Sequence, residues 1–212
     1  MGVDVGITAF ATLSNGEEIE NSRYHKNALD NLQRQQRRLS RKKKGSKRRA
    51  KQRIKVAKAH LKVARSRKDF HHKVSTDLVR RFDAIRVEDL NIRGMIRNRH
   101  LAQAISDVAW GGFFTMTKSK AEKAGRTFER VSPRYTSQIC SRCDHRQKMP
   151  LAMRIYECGK CGFVIGRDHN AAITIDRAGQ AQITTPVEKR GSVSKKRERV
   201  GRTQLEPQRG GN

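Results

Sequence analysis

Four cysteines carry the most specific chemistry in this chain. Cys140, Cys143, Cys158 and Cys161 form two C-x2-C pairs, and the sequence holds no other cysteine. Four thiolates at that spacing complete the tetrahedral shell of Zn²⁺, with two turns each supplying two ligands. A shell filled by four thiolates has no open position, so the expected role is structural. Binding of such an ion stabilises a small module by about 10–16 kcal/mol. Gly162 follows Cys161 and Asp144 follows Cys143, and both residue types suit the tight turn of a zinc knuckle. His145 stands beside the first pair as an outside ligand candidate, or simply as a solvent-facing histidine.

Acids are scarce, and three are placed where they could act together. Asp4 lies in a strand-like Gly2-Val3-Asp4-Val5-Gly6, Glu88 ends Ala84-Ile85-Arg86-Val87-Glu88, and Asp168 opens a helical stretch just after the cysteines. If the two strands are neighbours and the helix packs at their ends, three carboxylates converge. Hard cations such as Mg²⁺ take oxygen ligands of this kind. A pair of ions there could activate water against a phosphodiester. The same residues also fit a plainer reading, with Glu88 and Asp89 as strand-end acids and Asp168 as a helix N-cap.

The elements that must position these groups follow from pattern and charge. Lys and Arg number 48 against 20 Asp and Glu, a formal charge of +28. A polyanion is the natural counter-surface, and nucleic acid fits better than a membrane, because no long apolar run exists. Met1 leads straight into strand-like sequence, so no signal peptide is expected. A cytoplasmic, bacterial or archaeal setting follows, in which paired cysteines favour metal over disulfides. Asn15-Gly16 marks a hairpin between Thr8–Leu13 and Glu17–Glu20, so the chain opens as a β-meander. From Arg34 to Lys68 there is no acid at all, and Gly45-Ser46 splits the run into two basic helices. Ile54, Val56, Ala57, Leu61, Val63 and Ala64 give the second of these an apolar stripe. His72–Phe82 reads as an amphipathic helix, and residues 98–125 as one long helix burying Leu101, Ile105, Val108, Ala109, Phe113 and Met116. Thr127–Val131 is a further strand, and Met153–Tyr156 a short one between the cysteine pairs. His169–Ile175 is a short helix, and from Gly179 the polar tail is expected to be disordered. Trp110, Phe113 and Phe114 are expected in the core. Tyr135 suits either packing or base stacking, and His169 either the surface or proton transfer.

Taken in order, Gly2-Val3-Asp4-Val5-Gly6, Val87-Glu88-Asp89-Leu90-Asn91, Tyr135-Thr136-Ser137-Gln138-x-Cys140-Ser141-x-Cys143, Tyr156-x-Cys158-x-x-Cys161-Gly162 and Arg167-Asp168-x-Asn170-Ala171-Ala172 resemble the C-terminal nuclease half of the transposon-encoded TnpB (OrfB) family, related to the type V CRISPR effectors. The resemblance covers about residues 1–178. It implies an α/β, RNase H-like (RuvC) mixed sheet with a basic helical hairpin insertion and an inserted zinc ribbon. The implied parts are a first sheet segment over 1–26, the hairpin over 27–70, a second sheet segment over 71–137, the ribbon over 138–164, a last helix over 165–178 and a tail over 179–212. It also implies that Asp4, Glu88 and Asp168 hold catalytic Mg²⁺ in a DNA endonuclease guided by RNA, beside a structural Zn²⁺. Arg37, Arg38, Arg41, Lys42, Lys43, Lys44, Lys47, Arg48, Arg49 and Arg53 would lie against nucleic acid, joined by Thr136, Ser137 and Gln138.

The sequence departs from that family in three places. The large N-terminal half that binds guide RNA and reads a DNA motif has no counterpart here. Gly166 stands where an acid is usual, and Asp144 where glycine is usual. A natural truncation, a decayed remnant and a stand-alone module are the readings of that first departure. The alternative to a nuclease is therefore a catalytically impaired relative that binds nucleic acid through its helices and ribbon. A zinc-ribbon protein of the transcription or translation machinery is a further rival, but it leaves the segments around Asp4 and Glu88 without a role.

Overall fold

The computed structural model describes residues 1–21, 23–150 and 152–184. Its centre is a five-stranded mixed sheet in the order β3-β2-β1-β4-β5. The strands are β1 (Gly2–Val5), β2 (Ala9–Leu13), β3 (Glu18–Glu20), β4 (Ala84–Glu88) and β5 (Thr127–Val131). The first three form the expected meander. Gly16 takes a φ of 89° at its tip, and the Asn15 side chain accepts a bond from the Glu17 amide at 3.0 Å. β4 and β5 then add in parallel on the open side of β1.

The alternation of β1 decides what each face carries. Val3 and Val5 turn to one side and join Ile85 and Val87 of β4 in the main core. That core is closed by Val74, Leu78 and Val79 of helix α2 (Lys47–Arg81) and by Phe113 and Phe114 of helix α5 (Trp110–Lys123). Gly2 and Asp4 turn to the other side, where helix α6 (Arg167–Thr184) packs across the strands. Contact there is close enough that a Cβ on Gly2 would sit 2.0 Å from the Ala172 carbonyl oxygen. Buried Arg86 anchors the same helix, donating to Asp176 at 2.8 Å and to Glu129 at 2.9 Å.

Helices α1 (Arg23–Ser40) and α2 (Lys47–Arg81) form the basic hairpin. At about 1.5 Å per residue α2 is roughly 50 Å long, and only its far end lies on the sheet. The expected helix from His72 is that far end. No glycine or proline lies between Lys47 and Arg81 to stop it, and the element crosses the expected boundary at residue 70. Away from the sheet the hairpin holds itself with Ala28, Leu32, Ala59 and Val63 and a Gln52–Gln35 amide bond of 2.9 Å. The apolar stripe is narrower than expected. Val56 and Val63 face α1, whereas Ile54 and Leu61 are exposed.

A short α3 (Ile92–Met95) follows β4, and the single helix expected over 98–125 is replaced by α4 (Ala102–Val108) and α5 (Trp110–Lys123). Ala109 breaks α4 from α5 in the left-handed region, at φ 52°. At about 100° per residue, one unbroken helix would turn Ile105 and Val108 nearly opposite to Trp110, Phe113 and Phe114. The break lets both sets be buried. Leu101, ahead of it, is exposed, and Met116 is only partly covered.

The last helix is longer than expected and continues past Gly179 to Thr184. Residues 185–212, the rest of the expected tail, lie outside the described residues. Among the described residues no helix is long and apolar enough to cross a membrane.

Candidate metal centre and acidic cleft

The two cysteine pairs meet. All four sulfurs lie within 4.8 Å of one another, with Cys140–Cys161 at 3.8 Å and Cys143–Cys158 at 3.6 Å. A tetrahedron with Zn–S arms of about 2.3 Å has edges of about 3.8 Å, so this donor set fits the ion. The two turns are built alike. The Cys140 amide bonds to His145 O and the Asp144 amide to Cys140 O, while the Cys158 amide bonds to Phe163 O and the Gly162 amide to Cys158 O. Asp144 and Gly162 occupy matching places, with φ of 59° and 67°. Their positive φ is why the sequence carries a turn-tolerant residue after each second cysteine. His145 gives its backbone to the first turn and is not part of the sulfur cluster. Strands β6 (Ile155–Glu157) and β7 (Val164–Gly166) flank the second turn and pair as an antiparallel hairpin. β6 begins two residues later than expected, and β7 carried no sequence signal of its own. Buried Tyr156 packs on Cys140 and Cys158.

The thiols are strongly perturbed as they stand. Burial works against ionising Cys158, yet backbone N–H groups of Cys161 and Lys160 and the neighbouring thiols bring it down to about 6. For Cys143 the backbone hydrogen bond at His145 is outweighed by burial and the other three cysteines, and it is pushed up to about 12. Cys158 ionises at the expense of Cys143, as expected of thiols that need a cation to ionise together.

The three acids line one cleft of about 360 Å³. Register brings the first two together. Gly2 pairs with Arg86 and Val3 with Val87 in parallel, so one residue further along Asp4 comes level with Glu88, both on the α6 face. Asp168, in the first turn of α6, faces them across the cleft. Burial raises the Asp4 carboxyl well above the usual range, and the charges of Glu88 and Asp168 raise it further, partly offset by Arg167. Burial raises Glu88 too, against a hydrogen bond from Thr136. Asp168 is half exposed and paired with Arg167 Nε at 3.2 Å and, more loosely, with Arg154 Nη1 at 3.9 Å.

The other expected contact residues separate into two groups. Arg37, Arg38, Arg41, Lys43, Lys44, Lys47, Arg48 and Arg53 are exposed along the hairpin and its tip. Lys42 is half-buried, and Arg49 is tied into the turn, donating to Leu39 O and Lys42 O at 2.9 Å each. Thr136 is buried with its hydroxyl on Glu88, so it supports the cleft rather than facing open solvent. Ser137 lines the cleft. Gln138 belongs to the cysteine module, where its carbonyl accepts from Tyr156 at 3.1 Å. Tyr135 has Arg146 over its ring at 3.3 Å. His169 sits 3.2 Å from Ser14 O and against Gly16, pinning the first hairpin to α6.

Sequence reasoning missed the two arginines in the cleft. Arg167 had a signal, since it directly precedes the acid. Arg154 had none, because only the fold brings residue 154 next to residue 167, whose amide bonds to the Arg154 carbonyl at 2.8 Å.

Comparison with solved structures places this architecture with that of a chain in the "Cryo-EM structure of the Cas12f1-sgRNA-target DNA complex". The TM-score is 0.55 at 20% identity, over 82% of this chain and 48% of the other. The fold is therefore a mixed α/β architecture similar to that of Cas12f1, with a cluster of four cysteines that could hold a metal ion. Residues 1–99 match the family described as "Probable transposase" (OrfB_IS605), and residues 110–175 match "Cas12f1-like, TNB domain". A Streptomyces pristinaespiralis protein named "Putative RNA-guided DNA endonuclease" is 41% identical over 185 residues, or 85% of this chain. Escherichia coli K12 "Putative RNA-guided DNA endonuclease InsQ" is 32% identical over 200 residues, again 85% of the chain. The chain belongs to the TnpB family. It spans 45% and 49% of the lengths of these two relatives, about half of each.

Proposed function

We propose that this chain is the nuclease half of a TnpB-type DNA endonuclease, with a RuvC-like sheet and an inserted zinc ribbon. Asp4, Glu88 and Asp168 would hold the catalytic cations, Mg²⁺ by the chemistry of an all-oxygen donor set. The single observation that carries the reading is the convergence of three acids, since strand register brings Asp4 level with Glu88 and both line one cleft with Asp168. Desolvation and the two neighbouring acids raise the Asp4 carboxyl, a cost that a divalent cation would relieve. Three carboxylates lining one cleft suit a pair of ions bracketed between them, as in two-metal sites. When bound, such cations supply activation of water and stabilisation of the departing oxygen of a phosphodiester.

The remaining roles belong to the chain's own residues. Thr136 orients Glu88 by donating to it. Arg154 and Arg167 hold Asp168 while it lacks a cation. The exposed arginines and lysines of the hairpin supply sequence-independent phosphate contact. The relatives' names support DNA as the substrate and an RNA guide for the full-length protein. The four cysteines would hold Zn²⁺ as a brace for the module beside the cleft.

The test is cleavage of single-stranded DNA by the purified chain in Mg²⁺ or Mn²⁺, with Asp4→Ala and Asp168→Ala alongside. Cleavage confined to the wild type is expected. Equal cleavage by all three proteins would sink the assignment. Retarded DNA with no cleavage in either metal would favour the nucleic-acid-binding alternative.

A further inference from the structure

The cysteine module and the acidic cleft share no ligand, yet one buried side chain joins them. Asn170 is fully buried two residues after Asp168. Its Nδ2 donates to Ile139 O at 2.8 Å, and its Oδ1 accepts from the Ser141 amide at 2.9 Å. Those two backbone groups flank Cys140, so a single amide clamps the chain on both sides of the first sulfur. Asparagine carries the donor and the acceptor that this needs, whereas an ionised aspartate would only accept. Two turns further along α6, Arg177 repeats the grip, donating to Ser141 O at 2.7 Å and to Asp144 at 3.1 Å. Both backbone groups of Ser141 are therefore held by α6.

The opposite side of α6 is fixed by the sheet. Gly2 lies against Ala172 and Asp176, and Arg86 holds Asp176. The start of the helix, where Asp168 sits, therefore rests between β1 and the first cysteine turn. Among the described residues the module's own buried cluster is Cys140, Tyr156 and Cys158, so the turn that Asn170 grips depends on its sulfurs being held together. When they are not, Asn170 loses both partners. The first turn of α6, which has no earlier turn to bond its amides, is then free to fray.

We propose that Asn170 is a positioning residue that couples occupancy of the four cysteines to the placement of Asp168, so that filling the sulfur site tightens cation binding in the acidic cleft. The coupling is reciprocal: a cation held by the acids raises the equilibrium zinc affinity of the cysteines by the same factor. This rests on Asp168 being a ligand of the proposed cation site.

The experiment measures the Mn²⁺ dissociation constant of the full chain, with zinc loaded and with zinc removed by a chelator, in wild type, Asn170→Ala and Arg177→Ala. Hydrogen exchange of the amides of residues 167–172 is followed in parallel. In the wild type, zinc removal is expected to weaken Mn²⁺ binding about tenfold and to speed exchange at 167–172. In Asn170→Ala the zinc-loaded protein is expected to show the weakened value already, with the ratio between the two states falling toward one. Arg177→Ala, at a half-exposed position, keeps the module folded and is expected to reduce the ratio by about threefold or less. A wild-type ratio in Asn170→Ala, with unchanged exchange at 167–172, would overturn the proposal. Absence of Mn²⁺ binding in the wild type would instead count against the acids as ligands. Zinc-dependent exchange at 167–172 would still read the coupling in that case, and zinc-independent exchange would overturn it.

Discussion

In the sheet body, Val3, Leu13, Ile85, Val87 and Phe113 are sealed from water by helices on one face. In the cysteine module, the buried cluster is two sulfurs and Tyr156, with Phe163 and Ile165 only partly covered. Burial of apolar area stabilises the first in proportion to its extent. The second is too small for that and relies on four ligands arranged to fit one ion. Each region also carries a different donor chemistry: hard carboxylates on two inner strands and the helix that crosses them, soft thiolates on two short turns. The three carboxylates thus sit on the part of the molecule that has the larger apolar core.

The largest effect expected from this contrast is chelation of zinc or Cys158→Ser. Either should remove about 10–16 kcal/mol of binding free energy from the module and leave the body folded. The single tryptophan, Trp110, is buried in the body, so its emission reports on that region alone. Loss of the Trp110 signal together with the module would break the comparison.

Phe113→Ala attacks the other side. Phe113 is fully buried and meets Phe10 edge-on at 4.9 Å. Its truncation should cost about 3–5 kcal/mol, read as a lower urea midpoint by Trp110 emission, with zinc affinity of the folded protein unchanged.

Smaller effects sharpen the boundaries of each region. Ala109→Gly relieves a left-handed alanine and should stabilise the body by about 1 kcal/mol, read as a higher thermal midpoint. Ser46→Ala removes the hydroxyl that caps α2 and should destabilise the hairpin tip by about 1 kcal/mol, seen as faster exchange of the amides after residue 46.

The pH dependence is the finest test. Asp4 and Glu88 are both raised by burial, Asp4 also by its acidic neighbours. A raised carboxyl contributes stability that is complete below its unfolded pKa and lost as pH climbs through the folded one. The cation-free protein should therefore lose stability as pH rises through that window, and Asp4→Asn should flatten the loss. Urea midpoints measured across the acidic range, for wild type and variant together, check the sign.

Much of the cysteine site was legible because its ligands are local. Two C-x2-C pairs and the Asp144 and Gly162 turns specify the knuckles within a few residues each. The acids were legible as a set through the family motifs, but their meeting was not. Asp4 and Glu88 are 84 positions apart in sequence, and alternation shows which face each occupies without saying that β1 and β4 pair. Ala109 was invisible for a different reason. Alanine is the strongest helix former, and only the burial of Trp110 and Phe113 against the sheet forces it to break the helix. Asn170 and Arg154 act through backbone groups around 15–30 residues away, and no periodicity announces such contacts.

The central claim is that three acids on the sheet and α6 form one divalent-cation site. It is tested most directly by titrating Mn²⁺ into the zinc-loaded protein and following the free ion by its magnetic resonance signal, in wild type, Asp4→Asn and Glu88→Gln. The expected result is saturable binding in the wild type that is weakened at least tenfold in both variants, a loss of about 1.4 kcal/mol or more. Identical titration curves for all three proteins would contradict it.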